Sequence, residues 1–493
     1  MMEIQEKQIK KTATHTAIYA VGVVTRRLAS LVMLPIYTRY LTPADYGVVE
    51  LLSMAIDIAT ILIGLRISQA MFRYYVLAEK EEEKREVVST VLLTIILTSC
   101  VGATLLYLFS EPLVQIIFGS SEYILEFKLF VFTLITNAIA EVGLSYLRAQ
   151  QRPIFFVLVG IVSLFTQVSL NIYFVVIENM HVTGVVYSSL ISGFMIATGL
   201  SAYVFYNVGF HYSFNFVKRL IKFVAPLVVA SIGAVYVAYA DKYFLRIYAG
   251  LADVGLYALA SRISSVLNTV YEAFNMSWQA DSYHIVKNEN ARQIYGQFFR
   301  YVSAAIIITG VGIALFANDL FAIMTTPEYY AAGYIVPILI LSVIVRIYTM
   351  FCNFGAVYRE KTGVIANASW IRVSIATAGY LLLIPYLGVY GAAISLALSN
   401  VVELIWVYTQ SKKQYDMDLS WNPVFAMMFI AALIVGCGLL MPIGEISFFI
   451  YRILLFVVFL SLMYFSPVCG QEGRMLITEA YKKFFDYVSF KIR

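Results

Sequence analysis

The chain has 493 residues, of which 61% are hydrophobic and only 13% charged, with a formal net charge of +5. Soluble proteins carry roughly a quarter of their residues as charge, so this chain lacks the means to cover a water-facing surface of its size. A mean hydropathy of +0.79 excludes a soluble enzyme and points to one membrane bundle, and the small basic excess calls for no nucleic-acid partner.

A spanning helix needs about 20 largely apolar residues. Residues 1–15 are polar, with Lys7, Lys10 and Lys11, and read as a cytoplasmic segment with no cleavable signal peptide. Apolar runs follow near 16–40, 46–76, 87–109, 123–147, 154–177, 184–206, 220–240, 254–279, 297–318, 332–352, 364–384, 389–409, 423–441 and 447–466. They predict an all-α polytopic membrane protein of about fourteen helices. The second run is over-long for one crossing, so it is expected to tilt or protrude.

Lys and Arg in short loops set the orientation. With the N-terminus cytoplasmic, the inside loops hold Lys80, Lys84, Arg85, Arg148, Arg152, Lys218, Arg219, Lys222, Lys287, Arg292, Arg300, Arg359, Lys361, Lys412 and Lys413. The opposite loops and their margins hold only Arg39, Lys128, Lys242, Arg246 and Arg452. Both termini are therefore expected inside, in the cytoplasmic membrane. After Pro467, Ile477, Tyr481, Phe484 and Val488 recur at helical spacing beside Lys482 and Lys483, as in an amphipathic helix on the inner leaflet.

An internal repeat appears at equivalent turns. Ala44-Asp45-Tyr46-Gly47 lies between the first two spans and Ala252-Asp253-Val254-Gly255 between the seventh and eighth. A weaker echo pairs Gly184-Val185 with Gly388-Val389. The expected organisation is an N-lobe over 16–206, a cytoplasmic connector over 207–219, a C-lobe over 220–409, helices 13 and 14 over 423–466 and a cytoplasmic tail over 467–493. Two parallel six-helix lobes of this kind are a transporter plan.

Charge within the spans is costly and faces protein or water. Here it comprises Arg26, Arg27, Asp57, Arg66, Arg73, Glu141, Arg262, Glu272, Arg346, Arg372 and Glu403, with Asp241 and Lys242 closing the seventh span. Ser261, Ser265, Asn268, Glu272, Asn275 and Gln279 make one polar stripe along the eighth. Shorter stripes are Ser342-Arg346-Thr349-Asn353 and Asn137-Glu141-Ser145. Together they predict a polar cavity between the lobes, lined by Arg26, Arg27, Arg66, Arg262, Arg372, Asn268 and Glu272. Arginines outnumber carboxylates among the deep charges, which suits a cargo bearing phosphate. Arg73, Lys242, Arg346 and Glu403 have a second reading, snorkelling to an interface, and polar stripes also serve as glue between helices. Asp57, Glu141 and Asp241, with Glu272, are candidates for ion coupling, and a structural ion pair is the alternative for each. Tyr236, Tyr239 and Tyr243 either stack on sugar or pack at an interface.

No GxxxxGK[ST], HExxH or GxSxG motif occurs, so neither direct ATP use nor hydrolytic chemistry is indicated. The four cysteines include no CxxC pair and the four histidines are scattered, so no disulfide framework, metal site or cofactor is expected.

The stretch Leu34-Pro35-Ile36-Tyr37-Thr38-Arg39-Tyr40-Leu41-Thr42-Pro43-Ala44-Asp45-Tyr46-Gly47 resembles the opening of Wzx-type oligosaccharide flippases. These belong to the multidrug/oligosaccharidyl-lipid/polysaccharide export (MOP) superfamily. Pro226 through Ala240-Asp241-Lys242-Tyr243 resembles the start of their second lobe. The resemblance implies a MATE-like fold and a flippase moving undecaprenyl-pyrophosphate-linked oligosaccharide across the membrane by alternating access. It further implies contact with membrane lipids and with polysaccharide polymerase or assembly proteins, and it casts Arg26, Arg27, Arg66 and Arg262 as pyrophosphate ligands. The chain departs from the peptidoglycan-precursor branch, where Arg-Asp stands in a Gly-rich first helix; here Arg26-Arg27 precedes Leu28. Rival readings are a cation-coupled multidrug antiporter of the same superfamily, a lipid II flippase, a membrane glycosyl- or acyltransferase, and a scaffold in an assembly complex.

Overall fold

The computed structural model describes residues 33–465 except 64, 287–288, 360, 362, 418 and 443–445. The expected N-terminal segment, most of the first span and the amphipathic tail lie outside the described residues. The described chain is helical throughout, and it divides into two compact units, Met1–Gly255 and Leu256–Arg493.

The first unit contains the end of α1 (residues 33–40), α2 (Pro43–Ile63), α3 (Leu65–Leu77), α4 (Glu81–Leu108), α5 (Ser110–Phe118), α6 (Ile124–Ala149), α7 (Pro153–Asn171, continued by a π-helical turn at Ile172–Ile177), α8 (His181–Val208) and α9 (Phe214–Tyr248). The α6 helix is the hub, packing on α2, α3, α4, α5, α7 and α8. Val88, Val91, Leu92 and Ile95 of α4 meet Val142 and Tyr146 of α6, Val204 of α8 and Leu220 of α9 in one buried cluster. Burying such side chains contributes about 1.5–3 kcal/mol each where the alternative is water; within lipid, close packing takes over that role.

The over-long second span is described as α2 and α3, on either side of residue 64, which lies outside the described residues. The start of α2 explains the Thr-Pro-Ala-Asp-Tyr-Gly segment residue by residue. The Asp45 carboxylate accepts from Thr42 N and Thr42 Oγ1 at 3.0 and 2.9 Å, and Asp45 N donates to Thr42 Oγ1 at 3.1 Å. This is a reciprocal capping box, with Pro43 at the first helical position where its missing N–H is harmless. Gly47 then lets the backbone of Leu251 and Gly255 approach, and Gly255 does the same for Pro43 and Gly47. The two copies of the repeat therefore interlock, glycine against glycine.

The connector after α8 is tied to α4: His211 N donates to Ser89 Oγ at 2.8 Å and Ser213 N to Thr90 Oγ1 at 3.1 Å. The α9 helix consequently packs on α2, α3 and α4, and the compact units divide at Gly255 rather than at the connector. The short helix α5 has no counterpart among the expected spans. It ends at Gly119 (φ +77°), whose N–H donates to the carbonyl oxygen of Gln115 at 2.9 Å, and Arg246 of α9 donates to the same oxygen at 3.1 Å.

The second unit holds α10 (Leu251–Ile285) from Leu256 onward, α11 (Ala291–Met324), α12 (Ala331–Cys352), α13 (Phe354–Tyr358), α14 (Gly363–Gln414), α15 (Trp421–Leu439) and α16 (Ile446–Phe465). The α14 segment is two helices joined at Gly388, whose φ of +52° and ψ of −127° favour glycine. The expected spans 364–384 and 389–409 fall on either side of it. In the first unit the corresponding turn runs instead through Asn179 (φ 52°) and His181 (φ 47°), while Gly184 lies inside α8. The α11 helix is central, packing on α12, α15 and α16, and α12 lies along α14. An aromatic cluster closes one end, with Trp278 stacked on Phe298 and Phe351 at 4.4 and 4.9 Å between ring centroids.

Among the described residues, nine helical segments are long and apolar enough to cross a membrane. The protein is a multi-pass membrane protein.

Candidate functional site

Each unit contains its own polar cluster on membrane-length helices. In the first, α2 and α9 pack side by side. Glu50 and Asp57 are seven residues apart and share a face of α2. Lys242 of α9 pairs with Glu50, their side chains only 12% and 18% exposed. Tyr239 Oη donates to Asp57 Oδ2 at 2.6 Å, and the Lys242 ammonium lies over the Tyr239 ring, 5.4 Å from its centroid. Asp57 itself is exposed. Asp241 is buried and accepts from the backbone N–H of Lys242 at 2.8 Å. Lys242 is thus an ion-pair partner and does not snorkel to an interface. Glu50, which no sequence pattern singles out, is the residue that fixes it.

In the second unit, Arg372 of α14 lies 3.4 Å from Glu403 across the Gly388 kink. Arg346 of α12 is near enough for both charges to act on it. Two guanidiniums therefore lie near one carboxylate, with Arg372 the one paired to it. Arg372 Nε, the atom that faces Glu403 Oε2 at 3.4 Å, does not reach hydrogen-bond geometry with it, and two guanidiniums carry more donors than one carboxylate accepts. Beside it, Asn400 Nδ2 donates to Ser342 Oγ at 2.8 Å and to Ser342 O at 3.1 Å, clamping α12 to α14. The stripe Ser342-Arg346-Thr349-Asn353 thus splits: Ser342 is interhelical glue, while Arg346 is exposed.

The remaining predicted residues are placed as follows. Arg26 and Arg27 lie outside the described residues, and so does the side chain of Arg66 on α3. On α10, Arg262 and Asn268 are partly buried, Glu272 is exposed, and Asn275 accepts from Tyr271 Oη at 3.3 Å. Glu141 pairs with Arg148, two turns further along its own helix, at 2.8 Å. Arg73 stacks on Phe223, its guanidinium 4.8 Å from the ring centroid. The described residues contain no group of metal-ligating side chains.

Among the described residues, membrane-length helices with fixed charge inside two helical units make a helical membrane protein, and solved structures share its fold. The lipid II flippase MurJ, in its inward closed conformation, matches with a TM-score of 0.70 over 91% of this chain and 99% of that one, at 13% identity. An inward-facing multidrug resistance MATE transporter of the MOP superfamily matches at 0.62 over 78% and 94%, at 14% identity. The chain belongs to the polysaccharide biosynthesis protein family, whose model matches residues 13–278. A curated relative, the probable low-salt glycan biosynthesis flippase Agl15 of Haloferax volcanii, is 23% identical over 231 residues, 45% of this chain. The chain spans about half of that relative's length, 48%. The resemblance to polysaccharide-export proteins read from Leu34 through Gly47 lies within the segment that the family model matches.

Proposed function

We propose that this protein is a flippase for polyprenyl-pyrophosphate-linked oligosaccharide, working by alternating access in the cytoplasmic membrane with both termini cytoplasmic. It is a transporter rather than a group-transfer enzyme. The observation that carries the proposal is the excess of guanidinium over carboxylate in the Arg346–Arg372–Glu403 cluster. Such a cluster suits the pyrophosphate of a lipid-linked glycan and repels a cationic drug. Family membership and the flippase named among the relatives support the same cargo class. A sugar head group costs too much to drag bare through hydrocarbon, so polar helix faces must stand in for its water while the polyprenyl chain stays in lipid. Arg262, Asn268 and Glu272 on α10, with Arg26, Arg27 and Arg66, remain proposed contacts for the head group. Polymerase and assembly proteins are the proposed partners.

Arg346→Ala tests this reading cleanly, because it leaves the Arg372–Glu403 pair intact. Charge-assisted hydrogen bonds contribute about 1.5–3 kcal/mol. Transport of the lipid-linked oligosaccharide into proteoliposomes should therefore fall roughly ten- to hundredfold, with the melting temperature unchanged. Wild-type rates in a normally folded Arg346→Ala variant would remove the cluster from the pathway.

A further inference from the structure

The α2–α9 seam of the first unit has a chemistry opposite to that of an anion site. It presents Glu50 and Asp57 against the Lys242 cation, so it disfavours phosphate and offers hydrogen-bond acceptors. Asp57 lies about 20 Å along α2 at 1.5 Å per residue, about two-thirds of the thickness of a hydrocarbon core of about 30 Å. It is nevertheless exposed. A carboxylate at that depth must face a polar cavity rather than lipid. Tyr236, Tyr239 and Tyr243 recur at spacings of three and four, so they share one face of α9, and all three are partly exposed. Tyr239 is held at two points: its hydroxyl by Asp57 at 2.6 Å and its ring by the Lys242 ammonium.

We propose that this seam is a sugar subsite, a reading that rests on the flippase assignment and deepens it. A pyranose has an apolar C–H face and a rim of hydroxyl donors. The negative face of a tyrosine ring complements the first, and carboxylates, which only accept, complement the second. A ring already oriented by Asp57 loses little freedom on binding. Tyr239, flanked by Tyr236 and Tyr243, stacks on the sugar, and Asp57 and Glu50 accept from its hydroxyls. Phosphate recognition and glycan recognition are then assigned to different side chains: arginines for the first, and the tyrosine–carboxylate seam for the second.

The test uses the detergent-purified full chain and saturation-transfer NMR with a panel of lipid-free microbial oligosaccharides. At least one oligosaccharide should receive saturation from the wild type. Asp57→Asn and Tyr239→Leu should each weaken its apparent affinity at least tenfold with the melting temperature unchanged, while Tyr239→Phe, which keeps the ring, should weaken it less. No saturated oligosaccharide, or undiminished affinity in both variants, overturns the subsite. So does intact oligosaccharide binding in Asp57→Asn with altered proton or sodium dependence of transport, which assigns Asp57 to ion coupling. Transport scored separately in proteoliposomes keeps the two claims apart. Transport without oligosaccharide contact overturns the subsite alone; contact that needs Tyr239 and Asp57 without transport supports the subsite and overturns the flippase reading.

Discussion

Replacing Arg452 by alanine is expected to cost the second unit about 3–5 kcal/mol and to remove most of the folded protein. Arg452 sits on α16 with 0% of its side chain exposed, paired with Asp319 of α11 at 2.5 Å. Its remaining donors are spent on the end of α15: Nη2 donates to the carbonyl oxygens of Met441 and Pro442 at 3.0 and 3.1 Å, and Nε to that of Gly438 at 3.4 Å. Gly438 is in the last turn of α15, and Met441 and Pro442 follow its C-cap Leu440, so the guanidinium ties down the turn that leaves the helix. One guanidinium thus neutralises a buried carboxylate and holds the end of the preceding helix. Its removal strands both. Asp319→Ala should be similarly damaging, because it leaves Arg452 buried without its counter-ion. The double variant Asp319→Leu/Arg452→Met should recover much of the loss, since replacing a buried pair whole is tolerated better than halving it. Thermal unfolding of the detergent-purified variants checks this. Single variants that melt like wild type would show that the pair is not structural.

Gly47→Val and Gly255→Val are expected to have the next largest effect, destabilising by roughly 1–3 kcal/mol or more, the scale of overpacking in a close-packed interior. A Cβ at position 47 would overlap the carbonyl oxygen of Leu251, and one at 255 the carbonyl oxygen of Pro43. Both obstacles are backbone, so no side-chain rotation relieves them. Gly47→Ala should already lower the melting temperature, and valine should lower it further. Gly160→Ala is the contrast. A Cβ there meets nothing within 4 Å, and alanine favours a helix over glycine by about 1 kcal/mol, so that variant should be neutral or stabilised. If Gly47→Ala and Gly160→Ala behave alike in a melting series, the interlock is not as tight as the geometry requires.

The helices were legible because each apolar run had to be about as long as the membrane is thick. The Gly388 break was legible too, since the runs on either side were each of spanning length. Helix α5 was hidden because nine residues with a mixed face carry no such length signal. At the sites, Asp57, Arg346, Arg372 and Glu403 stood out as charges within apolar runs. Their partners did not. Lys242 and Glu50 are 192 positions apart, and Arg452 and Asp319 are 133 apart. Single-sequence patterning carries no information at that range, so Arg452 read as a loop-margin charge. Glu141 shows the converse: its partner Arg148 was seven residues away on the same helix, and the ion-pair alternative was already open. The segment that carried the family resemblance turns out to hold a helix cap and a close glycine approach.

The most direct test of the account is transport by the wild type itself. The full chain is reconstituted into liposomes with a fluorescent polyprenyl-pyrophosphate oligosaccharide, and movement between leaflets is followed by loss of quenching. A flippase of this cargo class gives leaflet exchange well above that of protein-free liposomes, with no efflux of cationic dyes. Absence of lipid movement together with efflux of a cationic dye would contradict it and make the protein a drug antiporter on the same fold.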